Sequence, residues 1–163
     1  MSYTETVMKD LLRKIPQTGK VEWIGIRSKK KKEVSVVESV MVKKKTGLQG
    51  DHFKGNSSGK RQVTLIQQEH LIAVASILGK ERINPKLTRR NILVSGINLL
   101  SLKHQQFKIG DAVLETSGIC APCRRMEENL GVGGYNAMRG HGGITASVIK
   151  EGEIKLGDKI ELL

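Results

Sequence analysis

The spacing of apolar residues changes several times along this chain, and each change marks a predicted element. Between Thr4 and Lys14, Val7, Met8, Leu11 and Leu12 recur at helical intervals and Pro16 follows, which predicts a short amphipathic helix acting as a packing element. From Lys20 the period shortens. Val21, Trp23 and the run to Ile26 predict a first strand, and Val34 to Val42 predicts a second, joined to it by a lysine-rich turn. Gly47-Leu-Gln-Gly50-Asp51-His52 interrupts the pattern. The polar, glycine-rich segment Lys54 to Lys60 then predicts a mobile loop of the kind that borders sites. Arg61 to Ile66 predicts a third strand. Leu71, Val74, Ala75 and Leu78 fall at i, i+3, i+4 and i+7 ahead of Gly79, as in a helix closed by a glycine. Asn91 to Val94 predicts another strand, ended by Ser95-Gly96.

Two later segments share one pattern. Phe107-Lys-Ile-Gly110-Asp111-Ala-Val-Leu-Glu115 and Ile154-Lys-Leu-Gly157-Asp158-Lys-Ile-Glu-Leu162 each place Gly-Asp ahead of alternating apolar residues, and a third such pair occurs at Gly50-Asp51. Glycine takes backbone angles other residues resist and aspartate caps a turn, so the pattern predicts tight turns entering strands. Many short strands joined this way predict a mostly β fold, a barrel or strongly bent sheet with a few short covering α-helices. With 163 residues and no linker, one domain is expected, its body spanning 20–163 behind a helical extension over 1–19.

Hydrophobic residues make up 38% of the chain but aromatics only 3%, so the core must be built from Val, Ile, Leu and Ala. The net charge of +12, from 28 Lys and Arg against 16 Asp and Glu, favours an anionic partner. Much of that excess lies in Lys29 to Lys32 and Lys43 to Lys45, which read as solvated hairpin ends ahead of a nucleic-acid patch. Two cysteines separated by two residues exclude the framework of a secreted disulfide protein. A redox pair, a metal half-site, or one nucleophile with a bystander remain, and all three imply a reducing, cytoplasmic setting. The first residues lack a signal-peptide pattern, and the longest apolar run, Leu71 to Leu78, is too short to span a bilayer, so no membrane partner is expected.

The candidate chemistry centres on Cys123. Pro122 fits the first position of a helix, Met126 and Leu130 lie at i, i+4, and Arg124 and Arg125 follow directly. A thiol at a helix start beside cations has its ionised form favoured, which makes it a better nucleophile and a better ligand for a soft metal. The competing reading is a small buried hydrophobe, against which the flanking Pro and two Arg argue. Zinc is not expected, because Cys120 and Cys123 need two more ligands and His52, His70, His104 and His141 show no paired spacing. A thioredoxin-like dithiol needs a β-α-β setting that the strand-rich pattern does not offer. Arg139-Gly140-His141-Gly142-Gly143 precedes a strand and would let backbone N–H groups and two side chains approach an anion, and Arg89-Arg90-Asn91 opens a strand with two cations.

Gly47-Leu-Gln-Gly-Asp51, Arg61-Gln-Val-Thr-Leu, Thr88-Arg-Arg90-Asn91-Ile-Leu-Val-Ser-Gly96, Phe107-Lys-Ile-Gly-Asp111, Pro122-Cys123-Arg-Arg-Met126, Gly142-Gly143-Ile and Leu156-Gly-Asp158, in that order, resemble the MOSC domain. That domain is named after the C-terminal domain of molybdenum cofactor sulfurase, and the resemblance runs from about Lys20 to the C-terminus. It implies a barrel-like β fold and places the family's conserved cysteine on Cys123. Members such as the mitochondrial amidoxime-reducing component and bacterial reductases of N-hydroxylated bases hold molybdenum cofactor through that cysteine. Others have been proposed to carry sulfur as a persulfide. The resemblance therefore implies Cys123 as catalytic residue and molybdenum ligand, with Arg90, Asn91, Arg139, His141, Gly142 and Gly143 as candidates for the phosphate and pterin edge of molybdopterin.

Two cysteines leave no room for an iron-sulfur module, so an electron donor or sulfur donor would be a separate protein, and pyridoxal phosphate is not expected on this chain. Three functions compete: a molybdenum-cofactor-binding module or reductase component for N-hydroxylated compounds, a persulfide sulfur carrier in which Cys120 resolves Cys123, and a basic β-barrel that binds nucleic acid. The last is disfavoured, because Tyr3, Trp23, Phe53, Phe107 and Tyr135 are too scattered for a stacking platform.

Overall fold

Alternating apolar residues on seven short strands give the chain one face per strand to bury, and these strands bury it by closing on one another. The structure, a computed structural model, describes residues 2–53 and 59–163. In chain order it contains α1 (Tyr3–Arg13), β1 (Gly19–Ile26), β2 (Ser35–Val36), β3 (Ser39–Lys43), β4 (Gly47–Leu48), β5 (Val63–Gln67), α2 (Gln68–Ile77), β6 (Ile92–Ser95), β7 (Gln106–Ile109), β8 (Ala112–Ile119), α3 (Arg124–Leu130), α4 (Gly134–Met138), β9 (Ile144–Lys150), β10 (Gly152–Lys155) and β11 (Lys159–Leu162). The barrel runs β1-β6-β5-β9-β8-β7-β11 and closes through β11 onto β1, where Gly19 pairs with Ile160. A three-stranded sheet, β10-β3-β4, lies beside it, and β2 forms a hairpin with the end of β1.

Strand alternation separates two cores. Leu65 of β5 and Ile92 and Val94 of β6 point into the barrel with Ile24, Phe107, Leu114, Ile144 and Ile160. Their neighbours Ile66 and Leu93 point outward and meet Leu71, Val74, Met126, Leu130 and Met138 from the helices. The mostly β barrel with short covering helices is as the sequence predicts, and so are the turns at Gly110-Asp111 and Gly157-Asp158, whereas no strand among the described residues directly follows Gly50-Asp51. Gly110-Asp111 forms the two-residue loop of the β7–β8 hairpin, with Gly110 at φ +55°. At the next turn the Asp158 carboxylate accepts from the Lys155 N–H at 2.7 Å. Gly79 ends α2 at φ +64°, its N–H donating to Ser76 and that of Lys80 to Ala75, the paired bonds of a Schellman cap.

Several expectations are corrected. Val34 to Val42 is not one strand: β2 pairs with β1, then the chain leaves the barrel and β3 pairs with β10. The expected packing role of the first helix is not met. Its N-terminus is fixed by a capping box between Ser2 and Glu5, yet no residue of α1 is buried, and Leu11 and Leu12 are 53% and 62% exposed. A β-α-β unit does exist, since β5 and β6 are parallel and joined through α2, but the cysteines lie outside it, between β8 and α3. Pro122 is not the first helical residue, because Cys123 is the N-cap of α3. Of the loop expected over Lys54 to Lys60, residues 54–58 lie outside the described residues. No helix among the described residues is long and apolar enough to cross a membrane.

Two glycines test how the barrel is closed. Gly143 has φ +83°, and a Cβ there would collide with the Leu65 carbonyl oxygen and reach 2.9 Å from Ile66 Cα, whereas Gly79 has open space around its Cβ position. Gly143→Ala is expected to lower unfolding free energy by roughly 3 kcal/mol or more, combining left-handed strain with overpacking, against about 1 kcal/mol for Gly79→Ala. Urea denaturation of both variants measures the difference.

Candidate functional site

The pair Arg90-Asn91 enters β6 from the end of a 3₁₀ turn, Pro85–Thr88, and organises everything around it. Arg90 is only 7% exposed. Its Nε donates to the Gly142 carbonyl at 2.8 Å, Nη1 to the Thr88 carbonyl at 2.9 Å and Nη2 to the Cys120 carbonyl at 3.1 Å. Burial pushes its pKa below the ordinary arginine value, and the nearby Cys120 and Cys123 act in the opposite sense. Asn91 closes the other side. Its Oδ1 accepts from the Thr64 N–H and hydroxyl at 3.2 and 3.0 Å, the Thr64 hydroxyl accepts from the Asn91 N–H at 3.0 Å, and Nδ2 donates to Gly25 at 3.3 Å.

These bonds frame a cleft of about 400 Å³ where the entries to β5 and β6 meet the segment that leaves β8. Its walls include Phe53, Arg61, Thr64, Arg89, Arg90, Asn91 and Cys120 to Cys123. Beyond Asn91 it continues into a recess of about 40 Å³ reached by Arg27 and Val34, which shares Asp51, His52, Arg89, Arg90 and Asn91 with it. A larger hollow of about 600 Å³ lies under α1, but Lys14 and Glu69 are its only titratable groups. The two cysteines differ sharply. Cys120 is buried, its N–H donating to Gly143 at 2.9 Å and its sulfur 3.7 Å from Arg61 Nη2. Cys123 is exposed and free, at a bend where the chain turns into α3.

The electrostatics of the cleft are one-sided. Among the described residues Arg27, Arg61, Arg89, Arg90 and Arg125 have no carboxylate partner, while the cleft's one acidic wall residue, Asp51, accepts from the Arg27 N–H at 2.8 Å and lies against His52. Among the described residues the buried Nε atoms of Arg27 and Arg89 have no hydrogen-bond partner. Buried donors left in this way are uncommon and call for an acceptor. Arg89 also sits at φ +60°, rare for a branched or long side chain outside glycine-like positions. Burial, then Arg125 and Arg27, push its pKa below the ordinary arginine value, with Cys123 opposing. A recess whose guanidinium groups outnumber its single carboxylate, Asp51, is suited to an oxyanion.

Of the residues expected from sequence, Cys123, Arg90 and Asn91 meet at this cleft. Arg139 and His141 do not line it: Arg139 is the exposed C-cap of α4, and the His141 ring stands edge-on to His70 of α2, centroids 5.0 Å apart. Gly142 and Gly143 act through backbone alone, since a Cβ at Gly142 would collide with the Cys120 carbonyl oxygen. Sequence reasoning missed Arg27, His52, Arg61 and Thr64. Arg89 was quoted only as the companion of Arg90, and the signal available was that isolated arginines flank three predicted strand ends.

A family profile described as the MOSC domain matches residues 49–161. None of the curated proteins matches the chain. Among solved structures, the YuaD protein from Bacillus subtilis superposes with a TM-score of 0.77 at 24% identity, over 89% of this chain and 95% of that one. YiiM from Geobacillus stearothermophilus gives 0.73 at 16% identity, over 89% and 75% of the two chains. YiiM from Escherichia coli gives 0.66 at 19% identity, over 88% and 69%. Identities this low establish a shared fold.

Two outcomes are expected. Arg90→Met removes three donors and strands three carbonyls, so stability should fall by roughly 3 kcal/mol or more and the buried Cys120 should become accessible to a thiol reagent such as Ellman's. The second concerns His70, whose Nδ1 is buried without a partner and whose pKa is lowered first by burial and then by His141, with Glu69 opposing. A histidine depressed in the folded state contributes stability above its unfolded value near 6.5 and loses it as pH falls through the folded value. Melting temperature should therefore decline below about pH 6.5, and His70→Gln should flatten that decline.

Proposed function

Because the chain belongs to the MOSC domain family, we propose that it holds molybdenum cofactor in the arginine-lined cleft, with Cys123 as the metal ligand and the chain acting as the substrate-reducing component of a larger system. The observation that carries this reading is an exposed thiol sharing one cleft with two buried, unpartnered guanidinium Nε atoms. A thiolate is the soft ligand that molybdenum accepts, and a pair of orphan guanidinium donors is what a pterin phosphate satisfies. The cleft's volume also lies within the usual range for a cofactor site, ~300–1,000 Å³.

In this reading Arg27 and Arg89 take the phosphate in the recess, Asn91 and the Thr64 hydroxyl hold the wall beside it, and Arg90 fixes the backbone from which Cys123 projects. When bound, the cofactor supplies two-electron oxygen-atom chemistry, applied here to N-hydroxylated compounds. His52, half-buried on the cleft wall, has its Nδ1 3.2 Å from the Arg27 carbonyl and so stands where the recess meets the cleft. Reducing equivalents come from a separate donor protein. Cys120 has a packing role: it is buried beneath the loop and tied through its backbone to Arg90 and Gly143, which weighs against its acting as a resolving thiol.

The test is metal and pterin content after purification from cells that make molybdenum cofactor. Near-stoichiometric molybdenum and pterin are expected in the parent and in Cys120→Ala, with molybdenum lost in Cys123→Ala. Arg27→Gln and Arg89→Gln should each weaken pterin retention about tenfold or more, since a charge-assisted hydrogen bond contributes roughly 1.5–3 kcal/mol. Equal molybdenum in the parent and Cys123→Ala, or none in either, would overturn the reading. A persulfide on Cys123, found by mass spectrometry, would then favour sulfur transfer.

A further inference from the structure

The cleft carries more positive charge than one phosphate neutralises, and the surplus lies at the thiol. A phosphate monoester brings about −1.5 to −2 charges, which the recess matches with Arg27, Arg89 and Arg90 set against Asp51. Arg61 remains. It lies at the other end of the cleft beside Cys120 and Cys123, with Nη2 3.7 Å from the Cys120 sulfur and no carboxylate partner among the described residues. Asp51 lies in the recess, where it accepts from the Arg27 backbone N–H and is offset by Arg90. The field is extended outward by the β1–β2 turn. Arg27 and Val34 both line the recess, so the residues between them rise from its rim, and these include Lys29 to Lys32, all exposed and without an ion pair among the described residues.

We infer that the small molecule that meets Cys123 is itself an anion, bearing a carboxylate or oxyanion group that Arg61 selects at the thiol end of the cleft. The inference rests on the proposed function only for the assignment of the recess pair to a phosphate; without that phosphate the cleft would be more cationic still. A cationic base or amidine entering here meets a net excess of like charge, and at the thiol end of the cleft no carboxylate among the described lining residues replaces its hydration. A carboxylate entering by the same path exchanges water for a guanidinium with free donors, and the lysine-bearing rim raises its local concentration before it arrives. Arg61 is thus a specificity residue, distinct from the groups that hold the cofactor.

The test uses the full chain made in cells lacking molybdenum cofactor, so that Cys123 is free. Its reaction with an anionic thiol reagent, sulfonatoethyl methanethiosulfonate, is compared with that of the cationic trimethylammonioethyl analogue, and the site of labelling is read by mass spectrometry. The rate ratio, divided by the ratio for a free cysteine peptide, is expected to favour the anion by about tenfold or more at low salt. It should collapse toward the peptide value in about 1 M salt, where screening reaches within a few ångströms. Arg61→Gln should lower it at least about threefold, and Arg61→Lys should keep most of it. A normalised ratio at or below one, or one that Arg61→Gln leaves unchanged, would sink the inference. The labelling needs no cofactor, so a chain that selects anions yet binds no molybdenum overturns the cofactor reading alone.

Discussion

The site depends on a cation buried where no anion neutralises it. Arg90 is nearly inaccessible, yet its guanidinium finds no carboxylate; three backbone carbonyls, from Thr88, Cys120 and Gly142, take its place. Burying a lone charge is expensive unless its donors are satisfied, and a planar guanidinium is suited to such a role because its donors are fixed in a fork and it stays charged. The three carbonyls belong to three separate stretches of chain: the entry to β6, the exit from β8 and the entry to β9. One side chain therefore sets their relative positions. Asn91 does the same for β1 and β5 through Gly25 and Thr64. Cys123 sits three residues from one of these anchors, which lets it be exposed and yet held in place.

The topology accounts for that convergence. A closed ring with an odd number of strands cannot be antiparallel throughout, so a seven-stranded barrel must contain a parallel pair, and here it is β5 and β6. Parallel neighbours need a long connection, which α2 and the 3₁₀ turn supply. Because both strands start on the same side, their entry residues, Arg61 to Thr64 and Arg89 to Asn91, arrive together. An even, wholly antiparallel barrel would put a hairpin between neighbouring strands and leave no such pair of free entries. The β8–β9 register shifts near Thr116 and Gly118, and the chain then leaves the ladder to bring Cys120 under Arg61.

Much of this was legible in the sequence, and what was not has physical causes. Strand positions, the α2 helix with its glycine stop and the Gly-Asp turns are local patterns, and local patterns survive folding. The Pro-Cys segment and Arg90-Asn91 were legible because each combines several chemical signals in a short stretch. Arg139 and His141 have weaker support from the resemblance and rest on glycines beside cations, which suggest an anion site, but the glycines there serve close packing of Gly142 against Cys120 and Gly143 against Leu65. Arg27 and Arg61 could not be singled out in the same way, since each is one arginine beside one strand and only barrel closure brings them to the recess and the cleft. The exposed α1 shows the opposite limit: an apolar stripe states what a helix prefers to bury and nothing about whether a surface is within reach.

The division between lysine and arginine around the cleft follows from the same constraint. The lysines Lys29 to Lys32 occupy an exposed turn, where a compact, strongly hydrated charge on a flexible stem contributes through space and needs no fixed partner. The cleft walls carry arginines, which tolerate partial dehydration and present donors in fixed directions. Arg27 and Arg89 each keep a buried Nε without a hydrogen-bond partner among the described residues, a state that a lysine in the same place would avoid by turning outward. Keeping such donors without an acceptor destabilises the fold, and nothing in the barrel's packing requires it, since Arg90 and Asn91 already hold the strands together. The orphan donors are thus better explained by a ligand than by architecture, and Arg89, which lines both the recess and the cleft that holds Cys123, is the residue the two places share.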